Sequence, residues 1–198
     1  MQREAVLDEF RAAGALLEGH FILSSGLRTG LYMQCARVLM DPERAARLCA
    51  ALAGKVRERL AAMGESVDLC VSPAMGGVIV GYEMARQLGT DSIFTERVDG
   101  VFTLRRGFAI APGTRVLMVE DVVTTGLSSR ECIEAIARAG GRTVLACCLV
   151  DRSDGESDVG VPLVSLVGLK VPSHAPDALP TALAAIPPVK PGSRGLGS

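Results

Sequence analysis

Within the stretch Val116 to Ser129, VLMVEDVVTTGLSS, two adjacent acids, Glu120 and Asp121, follow an apolar run and precede a turn rich in small hydroxyl residues. Neighbouring ionised carboxylates repel each other, so the pair requires a compensating partner. A vicinal diol supplies one, because each carboxylate can accept a hydroxyl proton; a divalent metal supplies another. After Val122 and Val123 come Thr124, Thr125, Gly126, Leu127 and Ser128, which read as a turn into a helix N-terminus. Free N–H groups and the positive end of the helix dipole form an anion pocket there, and the hydroxyls add donors. Diol acceptors and a phosphate cradle a few residues apart match a ribose 5-phosphate. A metal-binding nucleotide site of the Walker type needs G-x-x-x-x-G-K-[ST] as well. That motif is absent: Gly54-Lys55 lies mid-helix and is followed by Val56.

The elements that must position this stretch follow a strand–helix rhythm. Residues 2–18 read as an amphipathic helix, with Val6, Phe10, Ala13, Leu16 and Leu17 at helical spacing. Short strands and turns are expected over 19–40. Asp41-Pro42 then opens a helix over about 42–62, with Leu48, Leu52, Val56 and Leu60 on its core stripe. Strands are expected over 67–72, 91–96, 115–120 and 142–150, with a short one at Val101–Leu104 and a further one within 161–169. Helices fill 76–89 and about 127–139. This alternation predicts an α/β fold, a parallel sheet with helices on both faces. The third strand ends at Glu120-Asp121, so both acids are expected at the carboxyl edge of the sheet, where open α/β folds bind ligands. The segment from Pro172 onward, with six prolines, reads as a covering tail.

Composition narrows the partners. The chain has 198 residues, 48% apolar and 22% charged, which bounds one globular domain over 1–198. A net charge of −1 and a pI near 6.1 argue against a nucleic-acid or anionic-membrane surface. Three of the 21 basic residues are lysines, so anion chemistry falls to arginine and backbone amides. The N-terminus carries charges where a secretory signal needs an apolar run, and no apolar run approaches the roughly 18 residues of a membrane span. A cytoplasmic location is expected, with the six cysteines reduced and buried. His20 and His174 are read as a structural residue and a tail residue. Met75 is either a ligand contact or packing.

The stretch VLMVEDVVTTG resembles the phosphoribosyl-pyrophosphate (PRPP) signature of type I phosphoribosyltransferases. The resemblance implies their fold, a parallel sheet flanked by helices with a small N-terminal hood, here about 1–40. It also implies that Glu120 and Asp121 hold the ribose 2- and 3-hydroxyls while Thr124 to Ser128 wrap the 5-phosphate. HFILSSGLRTGLYMQ (20–34) resembles the hood segment of the orotate-specific branch. VSPAMGGVIVGYEMARQLG (71–89) resembles its pyrophosphate loop, Ala74, Met75, Gly76 and Gly77, with the helix after it. LVDRS (149–153) resembles the strand end whose arginine binds the orotate carboxylate. Arg152, Thr124 and Ser24 would therefore contact orotate. By its residues alone, Arg152 reads as a salt bridge with Asp151, Asp154 or another surface acid; its fit with the other stretches reverses that. A fixed cation suits a base that carries a carboxylate, and arginine can clasp one bidentately.

The resemblance further implies Mg²⁺-dependent transfer of ribose 5-phosphate from PRPP to orotate. The products would be orotidine 5′-monophosphate and pyrophosphate, in de novo pyrimidine (UMP) synthesis. A homodimer with a shared site is implied too. Relatives carry a lysine- and histidine-bearing mobile loop; the corresponding residues 96–108 contain neither. The expectation is that Arg97, Arg105 and Arg106 take over the diphosphate charge. Gly76 and Ser24 stand where some relatives have lysine. Orotate is already an anion, so no side chain is given the part of general base. The other readings of the stretch are transfer to a different nucleobase and a non-enzymatic regulator that senses a nucleotide with the same fold.

Overall fold

A computed structural model describes residues 1–23 and 26–190. The chain runs α1 (Arg3–Ala12), β1 (Leu16–Ile22), β2 (Arg28–Met33), α2 (Cys35–Leu39), α3 (Pro42–Met63), β3 (Leu69–Pro73), α4 (Gly76–Leu88) and β4 (Asp91–Val98). It continues through β5 (Val101–Leu104), β6 (Arg115–Val123), α5 (Leu127–Arg138), β7 (Arg142–Asp151) and β8 (Leu163–Gly168). The last described elements are β9 (Ser173–His174), α6 (Thr181–Ala184) and β10 (Pro188–Val189).

The larger sheet has the order β5-β4-β3-β6-β7-β8. All neighbours are parallel except the β4–β5 hairpin at one edge. The long apolar strands β6 and β7 sit inside it because both faces are covered. Val6, Phe10, Leu48, Leu52 and Val56 join Leu117 and Val119 on one face. Cys132 and Ile136 of α5 join Val116 and Met118 on the other. Successive residues of β6 therefore serve opposite layers, as the pleat demands. The expected α/β architecture, with helices on both faces, is the observed one. All six cysteines are buried and unpaired, and burial pushes the Cys49 and Cys132 thiols up to about 12.

The N-terminal helix is shorter than its apolar spacing suggests. It ends at Ala12, and Leu16 and Leu17 belong to β1. Gly14 takes φ +58°, a conformation in which glycine carries no Cβ penalty, and this turns the chain before the helix can reach Leu16. The short helix α2 falls in a region expected to hold only strands and turns. Asp41 caps α3 as its position before Pro42 suggests, accepting from the Glu43 and Arg44 amides at 3.0 and 3.2 Å.

The smaller sheet, β10-β1-β2-β9, joins the hood to the tail. The tail is thus built into the hood rather than laid over it. His20, 4% exposed, lies with Nδ1 2.9 Å from the Ile186 carbonyl and fixes this junction. His174 pairs in register with Arg28. No helix among the described residues is long and apolar enough to cross a membrane.

Leu52 is fully buried on the α3 core stripe. Leu52→Ala should lower the unfolding free energy by about 2–5 kcal/mol, measured by urea unfolding. A loss below about 1 kcal/mol would mean that α3 does not close this face of the core.

Candidate active site

The strand β6 does not stop at the acids. It continues to Val123, because β7 offers ladder partners as far as Asp151. Glu120 and Asp121 accordingly lie inside the strand and turn toward different neighbours, which corrects the expectation of a pair at its end. Glu120, 6% exposed, accepts hydrogen bonds from the Ser128 hydroxyl at 2.6 Å and from the Ser129 hydroxyl. Burial raises its pKa, the two hydroxyls oppose that shift, and the charge of Asp121 adds to it. Asp121 faces the other loop. A Cβ placed on Gly76 would come within 2.8 Å of both its carboxylate oxygens. Only glycine lets the α4 loop approach this closely. Burial raises the pKa of Asp121, and the Val122 amide at 2.9 Å lowers it.

Two loops thus meet at the carboxyl ends of β3 and β6. One holds Ala74, Met75, Gly76 and Gly77, with a cis peptide between Ala74 and Met75. Met75 is 83% exposed, so it is not core packing. A Cβ on Gly77 would lie 3.1 Å from the Val119 carbonyl, so this loop too rests directly on β6. The other loop is the turn Thr124 to Ser128. Gly126 at φ +73° caps α5, and the Leu127 amide lies 3.4 Å from the Thr125 hydroxyl. The first-turn amides of a helix such as α5 have no partners within the helix and are suited to an anion. The Ser128 hydroxyl, expected to face a phosphate, is spent on Glu120 instead.

Arg152 follows β7, its amide held by the Val123 carbonyl at 2.8 Å. Its side chain lines a cavity of about 690 Å³ together with Thr124, Thr125, Leu127 and the hood residues Leu23 and Leu27. The Arg152 Nε is buried with no hydrogen-bond partner, and burial lowers the pKa of the guanidinium. It pairs with neither nearby acid among the described residues. Asp151 accepts from its own loop, from the Ser153 amide at 2.9 Å, the Ser153 hydroxyl at 2.6 Å and the Gly155 amide at 2.7 Å. A desolvated guanidinium with an open donor is suited to an incoming carboxylate.

The loop arginines divide. Arg97 donates to the Gly100 carbonyl at 2.6 Å and to Glu131, and it stacks 4.1 Å from the Phe102 ring. Arg106 is bidentate on Glu96 at 3.0 and 2.9 Å, which holds that carboxyl below its usual range. Both are engaged within the hairpin and with α5, away from the cavity. The Arg105 guanidinium has no hydrogen-bond or ion-pair partner among the described residues, unlike those of Arg97 and Arg106. Ser24 lies outside the described residues. The composition and spacing that pointed to the acids gave no sign of Arg130 or Ser157, which donate to carbonyls of the turn.

Comparison with known proteins matches the geometry to a family. A phosphoribosyl transferase domain profile matches residues 39–167. The orotate phosphoribosyltransferase of Maricaulis maris is 60% identical over 196 residues, covering 99% of this chain and 100% of the relative. That of Rhizorhabdus wittichii is 63% identical, covering 98% and 97%. The chain belongs to the orotate phosphoribosyltransferase family. Among solved structures, the orotate phosphoribosyltransferase of Aeropyrum pernix has a TM-score of 0.66 and 28% identity, covering 83% of this chain and 95% of that one. The adenine phosphoribosyltransferase of Saccharomyces cerevisiae has a TM-score of 0.64 at 19% identity. The second likeness concerns the fold alone, so the family's fold does not by itself choose the base.

The raised acids give a pH signature. Glu120 stands above its ordinary 4.5 in the folded protein. A carboxyl raised by folding contributes stability that is complete below its unfolded pKa and is lost as pH rises through the folded one. Glu120→Gln removes that contribution. As pH rises above the ordinary 4.5, wild type should lose unfolding free energy relative to Glu120→Gln, measured by urea unfolding at each pH. A pH-independent difference between the two proteins would contradict the raised value.

Proposed function

We propose that this protein transfers ribose 5-phosphate from PRPP to orotate, giving orotidine 5′-monophosphate and pyrophosphate, a step of pyrimidine nucleotide synthesis. One observation carries the choice of base: Arg152, whose Nε has no hydrogen-bond partner, lines the same cavity as Thr124 and Thr125. In this reading Arg152 would receive the carboxylate beside the turn that would receive the sugar phosphate. Identity of about 60% to orotate phosphoribosyltransferases over nearly the whole chain supports the same reading.

Each residue acts by placement. The turn amides from Thr125 onward would bind the 5-phosphate, and Asp121 the ribose hydroxyls. The Glu120 hydroxyl partners leave it less free, so in this reading Glu120 chiefly shapes the turn and contacts the sugar through its edge. The 74–77 loop would receive the diphosphate through backbone amides, which its glycines bring close. Departure of pyrophosphate leaves positive character on the anomeric carbon. The fixed dipoles around it and the in-line position of the base then lower the barrier. Arg105, uncommitted on its hairpin, is the cation available to close over the diphosphate and keep water out.

Mg²⁺ belongs to this proposal. Among the described residues no three His, Cys, Asp or Glu side chains converge. Asp121 beside Gly76 offers a single carboxylate, which fits an ion that takes most of its oxygens from a diphosphate and water. When bound, Mg²⁺ would offset the charge of the departing diphosphate. A cytoplasmic homodimer whose partner loop completes the site is proposed with it.

The test mixes protein, PRPP and Mg²⁺ with orotate, uracil, hypoxanthine or adenine and follows pyrophosphate release. Release with orotate alone is expected. Release with another base instead would move the assignment within the fold, and no release with any base would favour the regulator. Arg152→Ala should raise the orotate KM roughly 10- to 100-fold, the loss of one charge-assisted contact, with a smaller effect on PRPP. Asp121→Asn should impair PRPP use more than orotate use. Equal effects on both substrates would remove these separate roles.

A further inference from the structure

The turn that faces the phosphate is held by two consecutive carbonyls. The Ser157 hydroxyl donates to the Thr124 carbonyl. Arg130 Nη1 donates to the Thr125 carbonyl at 3.2 Å and also to the Asp158 carbonyl. Both donors therefore tie the turn to the loop that joins β7 and β8. That loop is itself fixed from within. Asp151, 2% exposed, accepts from Ser153 and Gly155, and the Ser153 hydroxyl accepts from the Ser157 amide at 2.8 Å. Gly126 is wedged against the same parts: a Cβ there would lie 3.0 Å from Val159, 3.1 Å from Arg130 Nη1 and 3.1 Å from the Asp158 carbonyl.

Peptide planarity gives these contacts a consequence. In a trans peptide the C=O of one residue and the N–H of the next point in opposite directions. Holding the Thr124 and Thr125 carbonyls outward therefore fixes the Thr125 and Gly126 amides inward, toward the anion cradle. If either plane rotated, a carbonyl dipole would face the phosphate and repel it. The loop that supplies Ser157 and the Asp158 carbonyl is the one that follows Arg152, whereas Arg130 reaches the turn from α5.

We propose that Arg130 and Ser157 are positioning residues that aim the Thr125 and Gly126 amides at the 5-phosphate, with Asp151 fixing the loop that carries Ser157. This rests on the reading of Thr124 to Ser128 as the phosphate turn. Neither residue is given contact with substrate.

The experiment measures ribose 5-phosphate affinity by calorimetry, together with the KM for PRPP and for orotate and the thermal midpoint. It compares wild type, Arg130→Met, Arg130→Lys, Ser157→Ala and the double variant Arg130→Met/Ser157→Ala. Arg130→Met keeps the stem and removes the donors. It should weaken ribose 5-phosphate binding about tenfold and raise the PRPP KM by a similar factor, with the orotate KM changing less than about threefold. Arg130→Lys should recover part of the loss. Ser157→Ala should weaken binding about threefold, and the double variant should lose less than the product of the two, because both act on one turn. Wild-type affinity in both Arg130→Met and Ser157→Ala would overturn the proposal. So would an equal loss for ribose 5-phosphate and orotate with no recovery in Arg130→Lys, which marks a general structural defect. Should Arg130→Met fail to fold, Ser157→Ala decides. Absence of ribose 5-phosphate binding by wild type would instead remove the phosphate-turn reading, and this inference with it.

Discussion

A buried and a half-buried carboxylate side by side on one strand, with no cation paired to either among the described residues, set the terms for everything around them. Burying an acid without compensation is costly, so each must be met by local donors or remain protonated. On one face α5 begins where Ser128 and Ser129 can donate to Glu120. On the other, a glycine brings the α4 loop against Asp121. The start of α5, the glycine at 76 and the spacing between them follow from that constraint. The same arrangement leaves a polar, partly desolvated floor at this end of the sheet.

The distribution of cations is equally specific. Arginines at 97 and 106 are neutralised by Glu131 and Glu96 and steadied on aromatic rings, so their charge is spent on the hairpin. Arg152 is desolvated and open, beside an acid that its own loop has already satisfied. An arginine kept apart from nearby carboxylates retains its capacity for an external one. This contrast sets Arg152 apart in a way the fold does not, since an adenine phosphoribosyltransferase shares the architecture.

The strand–helix rhythm was readable because parallel strands buried on both faces must be continuous apolar runs, and helices must show a stripe. RVLMVE and RTVLACCLV could scarcely be anything else, and Asp41-Pro42 announced its helix. The first helix was overextended because Leu16 and Leu17 continue the apolar spacing of α1, whereas the conformation of Gly14 leaves no mark in a periodicity. The position of Glu120 and Asp121 within β6 depended on the length of its neighbour β7, a non-local fact. The pairing of Arg97 with Glu131 and of Arg106 with Glu96 arises only through strand pairing and helix packing, so no spacing announces it. The contribution of Arg130 and Ser157 is made through backbone carbonyls, which no residue pattern encodes.

The central claim is that one end of the sheet binds a single nucleotide in a fixed direction, phosphate on the turn after β6 and acid on Arg152. A crystal structure of the protein with orotidine 5′-monophosphate tests it most directly. The account expects the phosphate on the amides of Thr125 to Ser128, the ribose hydroxyls at Asp121 and the orotate carboxylate within hydrogen-bond distance of Arg152. A nucleotide bound in the reverse direction, or one whose carboxylate leaves Arg152 unpaired, would contradict it.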